Sequence, residues 1–470
     1  MTSAVPPMVS GGLPVVGHMF EMLRDRENLF KRGFAEHGDL FSMKLGPQRV
    51  LVITGAEYNR QFYTETDKSL NMQDGYGFLK EAIGEVLFTA SPEAYYNQRP
   101  VLQEIFKRER MVGYIEAMNI EVQGWLDSLG QSGEIDITQE MLRLTQYVAG
   151  RALIGKDFRE ELGEDFWQEY SYISASLDMV LPPTLPLPKF KRRDRAKQKI
   201  SAVLNQLIEK RRQNLDQYND LVSILLTTPL KDGTYLPEET IVAIFMGLIF
   251  AGHETTAGQA AWLVALLLQH PDYLALVKDE IARQAPYGQP IDGGVLHKLD
   301  HVYWAIDETT RLCPSADTQI RTVEEPITIG KYEIPVGWRL MVSAATSHHL
   351  PETFTDPEQF DPLRYSPERA EGKNPFSIVG FGGGIHKCTG MNFAKNEMAV
   401  ITTRLFQQYE LELLSSEIHV VTGNGANHPS AVRVRYQRKP ESALGASAQP
   451  HTAAEGGCPH SHQPAAPEQN

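Results

Sequence analysis

A cysteine in a glycine-rich stretch near the end of the chain carries the strongest chemical signal in the sequence. The stretch runs from Phe381 to Gly390 and reads FGGGIHKCTG. Successive glycines let the backbone turn tightly and approach a flat ligand, and the helical pattern that follows, over 390–409, favours a thiolate at Cys388. Such a thiolate is a good axial ligand for haem iron, and His386 is placed to hydrogen-bond a haem propionate. From these residues alone, a glycine-rich turn with an incidental buried cysteine remains the alternative.

The fixed positions of this stretch, Phe-Gly-x-Gly-x-His-x-Cys-x-Gly, resemble the haem-binding loop of the cytochrome P450 monooxygenases at every residue. The resemblance implies a mainly α fold with small β-sheets, in which a large helical domain joins a small β-rich region. The haem would be buried between a long central helix and the helix that follows the cysteine loop. It also implies haem b (iron protoporphyrin IX), with the Cys388 thiolate as axial ligand and Phe381 and Gly382 beside it.

Two charged motifs upstream fit the same family. Glu308 and Arg311 form Glu-x-x-Arg, a spacing that places opposite charges on one face of a helix. Such a pair is usually a solvated surface ion pair. The later segment FDPLR, ending at Arg364, looks like the family's proline-rich segment. The resemblance then implies a buried Glu308–Arg311–Arg364 network with a structural role, holding the cysteine loop in place.

The sequence AGHETT, at 251–256, lies in a long apolar stretch that runs from Ile241 to Leu268. Gly252 weakens a helix and the Thr255 hydroxyl can bond a backbone carbonyl, so we expect a local opening there. In the family this is the oxygen-binding groove above the iron. The resemblance implies that Glu254 and Thr255 are catalytic and relay protons to bound dioxygen.

Further residues are expected at the haem propionates by their matching positions. Arg321 follows Arg311 by ten residues and precedes a strand-like segment. The resemblance assigns it to a propionate. Tyr76, and Tyr95 or Tyr96, are expected to add contacts to the same groups.

The substrate pocket is assigned from matching positions as well. The N-terminal stretch from Pro6 to His18 looks most like the sterol 14α-demethylase branch, but two residues depart from it. Glu254 stands where that branch usually has a histidine, and Asp317 lies in a segment that is usually apolar. If the Asp317 side chain points inward, it would suit a substrate that carries a hydroxyl or an amine. It could equally point to solvent. The expected pocket residues are Phe78, Leu79, Ile83, Met246, Phe250, Ala251, Thr255 and Asp317.

The resemblance therefore implies an enzyme that activates dioxygen to hydroxylate or oxidatively demethylate a lipophilic small molecule, of the sterol, terpenoid or fatty acid class. A haem-thiolate isomerase or peroxygenase is one alternative, although such branches commonly lose the acid–alcohol pair. A non-catalytic haem protein that binds a gas is the other. It would show no coupled turnover with any substrate.

The elements that must position these residues are mostly helical. Alternation predicts a hairpin of 40–45 with 50–53, and strand-like pieces recur at 327–334, 339–342 and 431–436. Helical periodicity dominates about 99–285, interrupted by the proline-rich loop 181–188. The basic run 189–199 after that loop is read as the first turns of a helix. The apolar stretch 241–268 carries ionisable residues at its centre, so we expect a buried helix and no membrane span.

One haem domain is predicted over residues 1–439. The Ala-, Gly-, Pro- and His-rich tail 440–470 is predicted to be disordered because it cannot bury a core. Its metal-type side chains have a spacing that matches no four-ligand site. They are His451, Cys458, His460 and His462.

Composition limits the partners. The chain has 470 residues and a formal net charge of −14, which argues against nucleic acid. Three cysteines and no secretory signal predict a reducing, cytoplasmic setting. No flavin or iron–sulfur motif occurs, so NAD(P)H electrons are expected to arrive through a ferredoxin and ferredoxin reductase, or a flavodoxin. A monomer is expected, and the expected proximal basic patch for the acidic carrier comprises Lys107, Arg108, Arg110, Lys387 and Lys395.

Overall fold

Helices account for most of the protein. The computed structural model describes residues 5–163, 165–178, 181–423 and 425–440. Within these ranges the α-helices are α1 Met19–Arg24, α2 Arg26–His37, α3 Ala56–Glu65, α4 Lys80–Ile83, α5 Pro92–Ile105, α6 Arg108–Leu129, α7 Ile137–Ile154, α8 Phe158–Leu162, α9 Phe166–Ser174, α10 Pro188–Gln213, α11 Leu221–Thr227, α12 Glu238–Gln269, α13 Pro271–Gln284, α14 Gly293–Leu296, α15 Asp300–Leu312, α16 Ala344–Ser347 and α17 Met391–Gln408. Short 3₁₀ helices lie at Gln73–Leu79, Leu87–Thr89, Leu215–Gln217, Pro362–Tyr365 and Gly384–His386.

The strands form small sheets. They are β1 Leu40–Leu45, β2 Gln48–Ile53, β3 Leu70–Asn71, β4 Ser132–Asp136, β5 Thr318–Val323, β6 Ile327–Ile329, β7 Tyr332–Ile334, β8 Arg339–Ser343, β9 Tyr409–Leu413, β10 Val420–Thr422, β11 Asn427–Pro429 and β12 Arg433–Arg438. The largest sheet has the order β1-β2-β8-β5-β3. β2 and β8 pair in parallel, while β5 runs antiparallel to β8 with Arg321 opposite Leu340. The other sheets are β4-β12-β9, β10-β11 and β6-β7.

The long helix α12 is the centre of the molecule. It begins after Pro237 with two glutamates in its first turn, which suit the positive end of the helix dipole. Its side chains are apolar on almost every face, which is typical of a helix buried within a large core. By length and composition α12 alone among the described helices could cross a membrane; its most apolar window has a mean hydropathy of 1.4, and 56% of that window is buried inside the protein.

Two apolar cores meet along α12. Its C-terminal half packs with α6, α7, α13, α15 and α17, through residues such as Leu263 and Leu267. Its N-terminal half packs with α5, α9, α10 and α11, through residues such as Phe245 and Ile249. Because both cores share one helix, the position of the central 250–256 segment is fixed from both ends.

Most predicted elements are present, with shifted ends. The hairpin forms with Leu40 paired to Ile53, and the basic run 189–199 lies in the first turns of α10. The segment 327–334 is two strands joined by a turn at Gly330. The helical region starts earlier than 99, because Ser91 caps α5 through the Ala94 N–H. The predicted disordered tail lies outside the described residues from 441 onward.

Candidate active site

The cysteine loop is a compact turn held against α3. The Cys388 N–H donates to the Phe381 carbonyl at 2.9 Å, and Gly382 adopts a φ of +71°. A side chain at Gly383 would put its Cβ 2.7 Å from the Tyr63 ring. Only glycine lets the loop lie this close to α3, so the glycine run serves packing as well as the approach of a ligand.

The Cys388 side chain is accessible in the structure. Its surface is exposed, yet burial by surrounding protein raises the pKa of its thiol. The Gly390 backbone N–H and the Lys387 charge oppose that rise. Accessibility of the sulfur is what axial ligation of haem iron requires.

One face of α12 opens in the same way. Ala251 and Thr255 are partly exposed and Gly252 is exposed, although the helix around them is buried. Apart from its chain neighbours and the backbone of α12, no heavy atom of the described residues lies within 4 Å of a Cβ built on Gly252. The Thr255 hydroxyl donates to the Ala251 carbonyl at 2.7 Å, as expected, while α12 stays a continuous α-helix through this point. The predicted local opening is therefore limited to the hydrogen bond of the Thr255 side chain, and the helix is not broken.

Glu254 points to a different side of α12 from Thr255. Its Oε1 accepts a hydrogen bond from the Ser174 hydroxyl at 2.5 Å. Its Oε2 accepts from the Gly425 N–H at 3.1 Å. Both donors come from segments outside α12, so the expected acid and alcohol are neighbours in sequence but have separate hydrogen-bond partners.

The structure brings the predicted charge network together in the interior. Glu308, Arg311 and Arg364 are each fully buried. Arg311 bonds both carboxylate oxygens of Glu308 at 2.8 Å, and the Arg364 Nε lies 3.0 Å from Glu308 Oε1. Glu371 balances the second guanidinium at 2.7 Å, and the Tyr365 hydroxyl donates to Glu308 at 3.0 Å. Two carboxylates thus neutralise two arginines, as buried charges require.

His348 connects this network to the cysteine loop. Its Nδ1 lies 2.9 Å from the Arg311 carbonyl, and its Nε2 accepts the Val379 N–H at 2.8 Å. Burial lowers the pKa of His348 to about 3, so its ring is neutral and carries its proton on Nδ1. This histidine links the last turn of α15 to the start of the loop that ends at Cys388.

Arg321 tests whether the residues present fit a haem. Its guanidinium is almost fully buried, donates to the Ile320 carbonyl and the Thr66 hydroxyl, and lies 4.9 Å from the Phe62 ring. No carboxylate in the described part of the chain pairs with it. A buried guanidinium without a counter-ion fits an anionic group such as a propionate. Together with the accessible Cys388 sulfur, Arg321 fits a haem.

The other expected propionate residues have protein partners. His386 Nε2 lies 2.6 Å from Asp67, and its ring packs 4.2 Å from Tyr95. Its Nδ1 is buried without a partner in the structure, so one ring nitrogen can still accept a hydrogen bond. The Tyr95 hydroxyl donates to the Ile385 carbonyl, and Tyr96 neighbours Asp67. Tyr76 packs on Phe88 with ring centres 5.5 Å apart.

The expected pocket residues divide into two groups. Leu79, Ile83 and Met246 are buried in the apolar core around the first half of α12. Phe78 and Phe250 are only partly buried against that core. Phe250 directly precedes Ala251 in α12, so these two supply apolar surface next to its open face.

Asp317 does not present a free carboxylate. Arg26 of α2 donates to it at 2.6 Å and also donates to Asn427 at 2.6 Å. Burial raises the pKa of Asp317, and Arg26 and Asn427 oppose the rise. Asp317 was expected to suit a substrate amine or hydroxyl only if it pointed inward; its carboxylate is paired with Arg26, and its place in the pocket stays a prediction. Gln319 of β5, two residues further on, donates to the Val379 carbonyl at 3.1 Å.

Sequence reasoning missed several residues that hold the site. Arg26, Asp67, Ser174, His348 and Glu371 each complete the hydrogen bonding of a predicted residue. They belong to no motif, and most lie far along the chain from their partners, such as 291 residues from Arg26 to Asp317. The adjacent histidines at 348 and 349 were a local signal that could have drawn attention to that segment.

Comparison with known proteins agrees with this geometry. The model of the cytochrome P450 family matches residues 6–428. The chain is 30% identical over 455 residues to a sterol 14-demethylase of Arabidopsis thaliana, covering 93% of this chain and 92% of the relative. It is 31% identical to a sterol 14alpha-demethylase of Mycolicibacterium vanbaalenii, covering 87% and 91%. The retinoic acid bound cyanobacterial CYP120A1 structure superposes with a TM-score of 0.85 at 26% identity, covering 93% of this chain and 100% of that one.

The chain belongs to the cytochrome P450 family. It is a haem-thiolate monooxygenase that uses dioxygen and reducing equivalents from redox partners on a lipophilic substrate. When bound, the haem supplies the oxygen-activating iron. The chain's own residues hold that group: Cys388 would supply the axial sulfur, and Arg321 would neutralise a propionate.

Proposed function

We propose that this enzyme hydroxylates or oxidatively demethylates a sterol-class molecule. One observation carries the proposal: the Asp317 carboxylate is occupied by Arg26 and Asn427. The polar segment that departs from the sterol branch therefore presents no free charge to a ligand. An uncharged, lipophilic substrate suits the partly exposed Phe78, Phe250 and Ala251 better than a charged one.

The remaining difference from the sterol branch is Glu254. A carboxylate at this position can still hold and pass a proton, and it is followed by the Thr255 hydroxyl. An acid–alcohol pair supports a monooxygenase over a haem-thiolate isomerase or a peroxygenase, because those reactions need no protons delivered to dioxygen. A non-catalytic gas carrier would need neither the pair nor a redox partner.

We further propose that NAD(P)H electrons reach the haem through a ferredoxin and its reductase, with a flavodoxin as the second choice, and that the protein is a cytoplasmic monomer. Lys387 and Arg108 support an acidic carrier, since neither forms an ion pair with a described residue. The other three basic residues of the expected patch are less available. Lys107 and Arg110 both pair with Glu104, and Lys395 pairs with Asp307.

An optical titration of the ferric protein tests the substrate class. We expect a 14α-methyl sterol to produce the low-to-high-spin shift that follows loss of the iron-bound water, and the matched sterol without that methyl group to yield no demethylated product. Terpenoids and fatty acids are titrated in parallel. A shift from one of these classes with none from any sterol would overturn the sterol proposal while leaving the monooxygenase chemistry intact.

A further inference from the structure

The Glu254 carboxylate is held on the outer side of α12. One of its oxygens accepts a hydrogen bond from the Ser174 hydroxyl at 2.5 Å, and the other accepts one from the Gly425 N–H at 3.1 Å. Gly425 is exposed, whereas Ser174 is buried. The carboxylate therefore sits between solvent on one side and the body of the protein on the other.

The placement of Ser174 follows from the helical spacing of α9. Phe166, Tyr170 and Ser174 recur every four residues and so share one face. Phe166 packs edge-on against Phe245, and Tyr170 packs edge-on against His253, along the length of α12. The next position on that face is Ser174, which meets Glu254. The packing of Phe166 and Tyr170 against α12 thus fixes the position of Ser174 on the next turn of α9.

Among the described residues, no charged side chain forms an ion pair with the Glu254 carboxylate. The titratable groups facing it from α9 and α12 are Tyr170 and His253. Burial raises the pKa of Tyr170 and lowers the pKa of His253, so both stay neutral. The Tyr170 hydroxyl and His253 Nδ1 are buried without a partner in the structure, which leaves the Ser174 hydroxyl as the one side-chain donor to Glu254 in the described chain.

The backbone at Gly425 lies directly against the Glu254 side chain. A Cβ there would lie 3.1 Å from Glu254 Oε2 and 3.0 Å from the Phe250 ring. Any larger residue would push against the carboxylate or against a ring beside the open face of α12. The absence of a side chain keeps a short path between Glu254 and solvent.

We propose that Ser174 is a positioning residue that holds Glu254 beside Gly425, so that the acid takes up protons from solvent at this loop. The inference rests on the proposed proton-relay function of Glu254 and Thr255. Each coupled turnover consumes two electrons and two protons, one oxygen atom enters the substrate and the other leaves as water. Glu254 gives up a proton inward and regains one from water at Gly425. If that supply is slow, dioxygen takes the same electrons and protons and leaves as hydrogen peroxide.

Ser174→Ala, Ser174→Thr and Glu254→Gln test the proposal in the haem-loaded protein. The carboxylate stretch lost in Glu254→Gln identifies the Glu254 band in the infrared spectrum of the ferric protein. We expect that band to shift in Ser174→Ala and to return in Ser174→Thr. With a turned-over substrate, we expect peroxide released per NAD(P)H to rise about tenfold in Ser174→Ala, as loss of one hydrogen bond to a charged group implies. Threonine should restore coupling.

Ser171→Ala is the matched control, because Ser171 lies one turn earlier on α9, is exposed and bonds only within its own helix. It should leave both the band and the coupling unchanged. If Ser174→Ala leaves the Glu254 band or the peroxide yield as in the unmodified protein, the role of Ser174 is refuted. If Glu254→Gln itself stays fully coupled, the relay assignment fails, and that result is distinct from a failure at Ser174 alone.

Discussion

At the scale of single residues, Glu308 is the shared counter-ion of two buried arginines. It accepts hydrogen bonds from two buried arginines, from the Tyr365 hydroxyl and from the Asp361 N–H. Glu308→Gln keeps the shape but removes the charge. We expect the free energy of unfolding to fall by about 3–5 kcal/mol, because two guanidinium groups lose a buried counter-ion. Denaturant unfolding of the haem-loaded protein measures this change in the free energy of unfolding.

Glu209→Gln is the matched control for that change. Glu209 and Arg212 have the same i,i+3 spacing as Glu308 and Arg311, but both side chains are about half exposed. Its loss should cost under about 1 kcal/mol. If the two substitutions lowered the free energy of unfolding equally, burial would not be what makes the Glu308 network stabilising.

At the scale of elements, His348 joins α15 to the cysteine loop and ties their stability to pH. Burial lowers its pKa to about 3, whereas the unfolded value is about 6.5. Between these values the unfolded chain binds a proton that the folded chain does not, so stability falls as the pH drops below about 6.5. We expect a loss of about 1.4 kcal/mol per pH unit from this residue, measured by unfolding at pH 7, 6 and 5.

His348→Asn removes this titration while keeping a donor and an acceptor. We expect a protein that is less stable at pH 7 but has a shallower decline towards pH 5. His297→Asn serves as the control, since His297 is exposed at the surface. An unchanged acid slope in His348→Asn would mean that another buried group, such as His253 or His349, sets the acid sensitivity.

At the scale of the whole molecule, the net charge of −14 repels an acidic electron carrier. An unpaired basic group on the surface is therefore important for its docking. If an acidic electron carrier docks near the cysteine loop, Lys387 attracts it over a distance set by ionic strength. We expect Lys387→Glu to slow reduction by a ferredoxin about tenfold at low salt, with the difference shrinking as salt is added. Stopped-flow reduction at several ionic strengths measures this rate.

Lys331→Glu makes the same charge change in the turn between β6 and β7, where Lys331 is exposed. It should leave the reduction rate nearly unchanged. Equal slowing by both substitutions would indicate a response to net charge alone and would argue against docking at the cysteine loop.

The features that depend on short-range spacing could be predicted from the amino-acid sequence. The haem loop, the Glu308–Arg311 pair, the β1–β2 hairpin and the long buried α12 are each readable over a few turns or a few residues. Backbone geometry imposes these patterns locally, since helices repeat every 3.6 residues and strands every two. The family resemblance then supplied the third member of the charge network, Arg364.

The hydrogen-bond partners of the buried polar groups, in contrast, became known from the folded chain alone. Asp317 was ambiguous in sequence because its orientation depends on Arg26, which lies 291 residues away. Glu254 faces outward because α9 places Ser174 against it from 80 residues away, and His386 meets Asp67 across 319 residues. Buried polar groups must find partners wherever the fold brings them, and no local pattern encodes a contact between distant segments. Physical packing of α2, α9 and α12 therefore settled what the residue types left open.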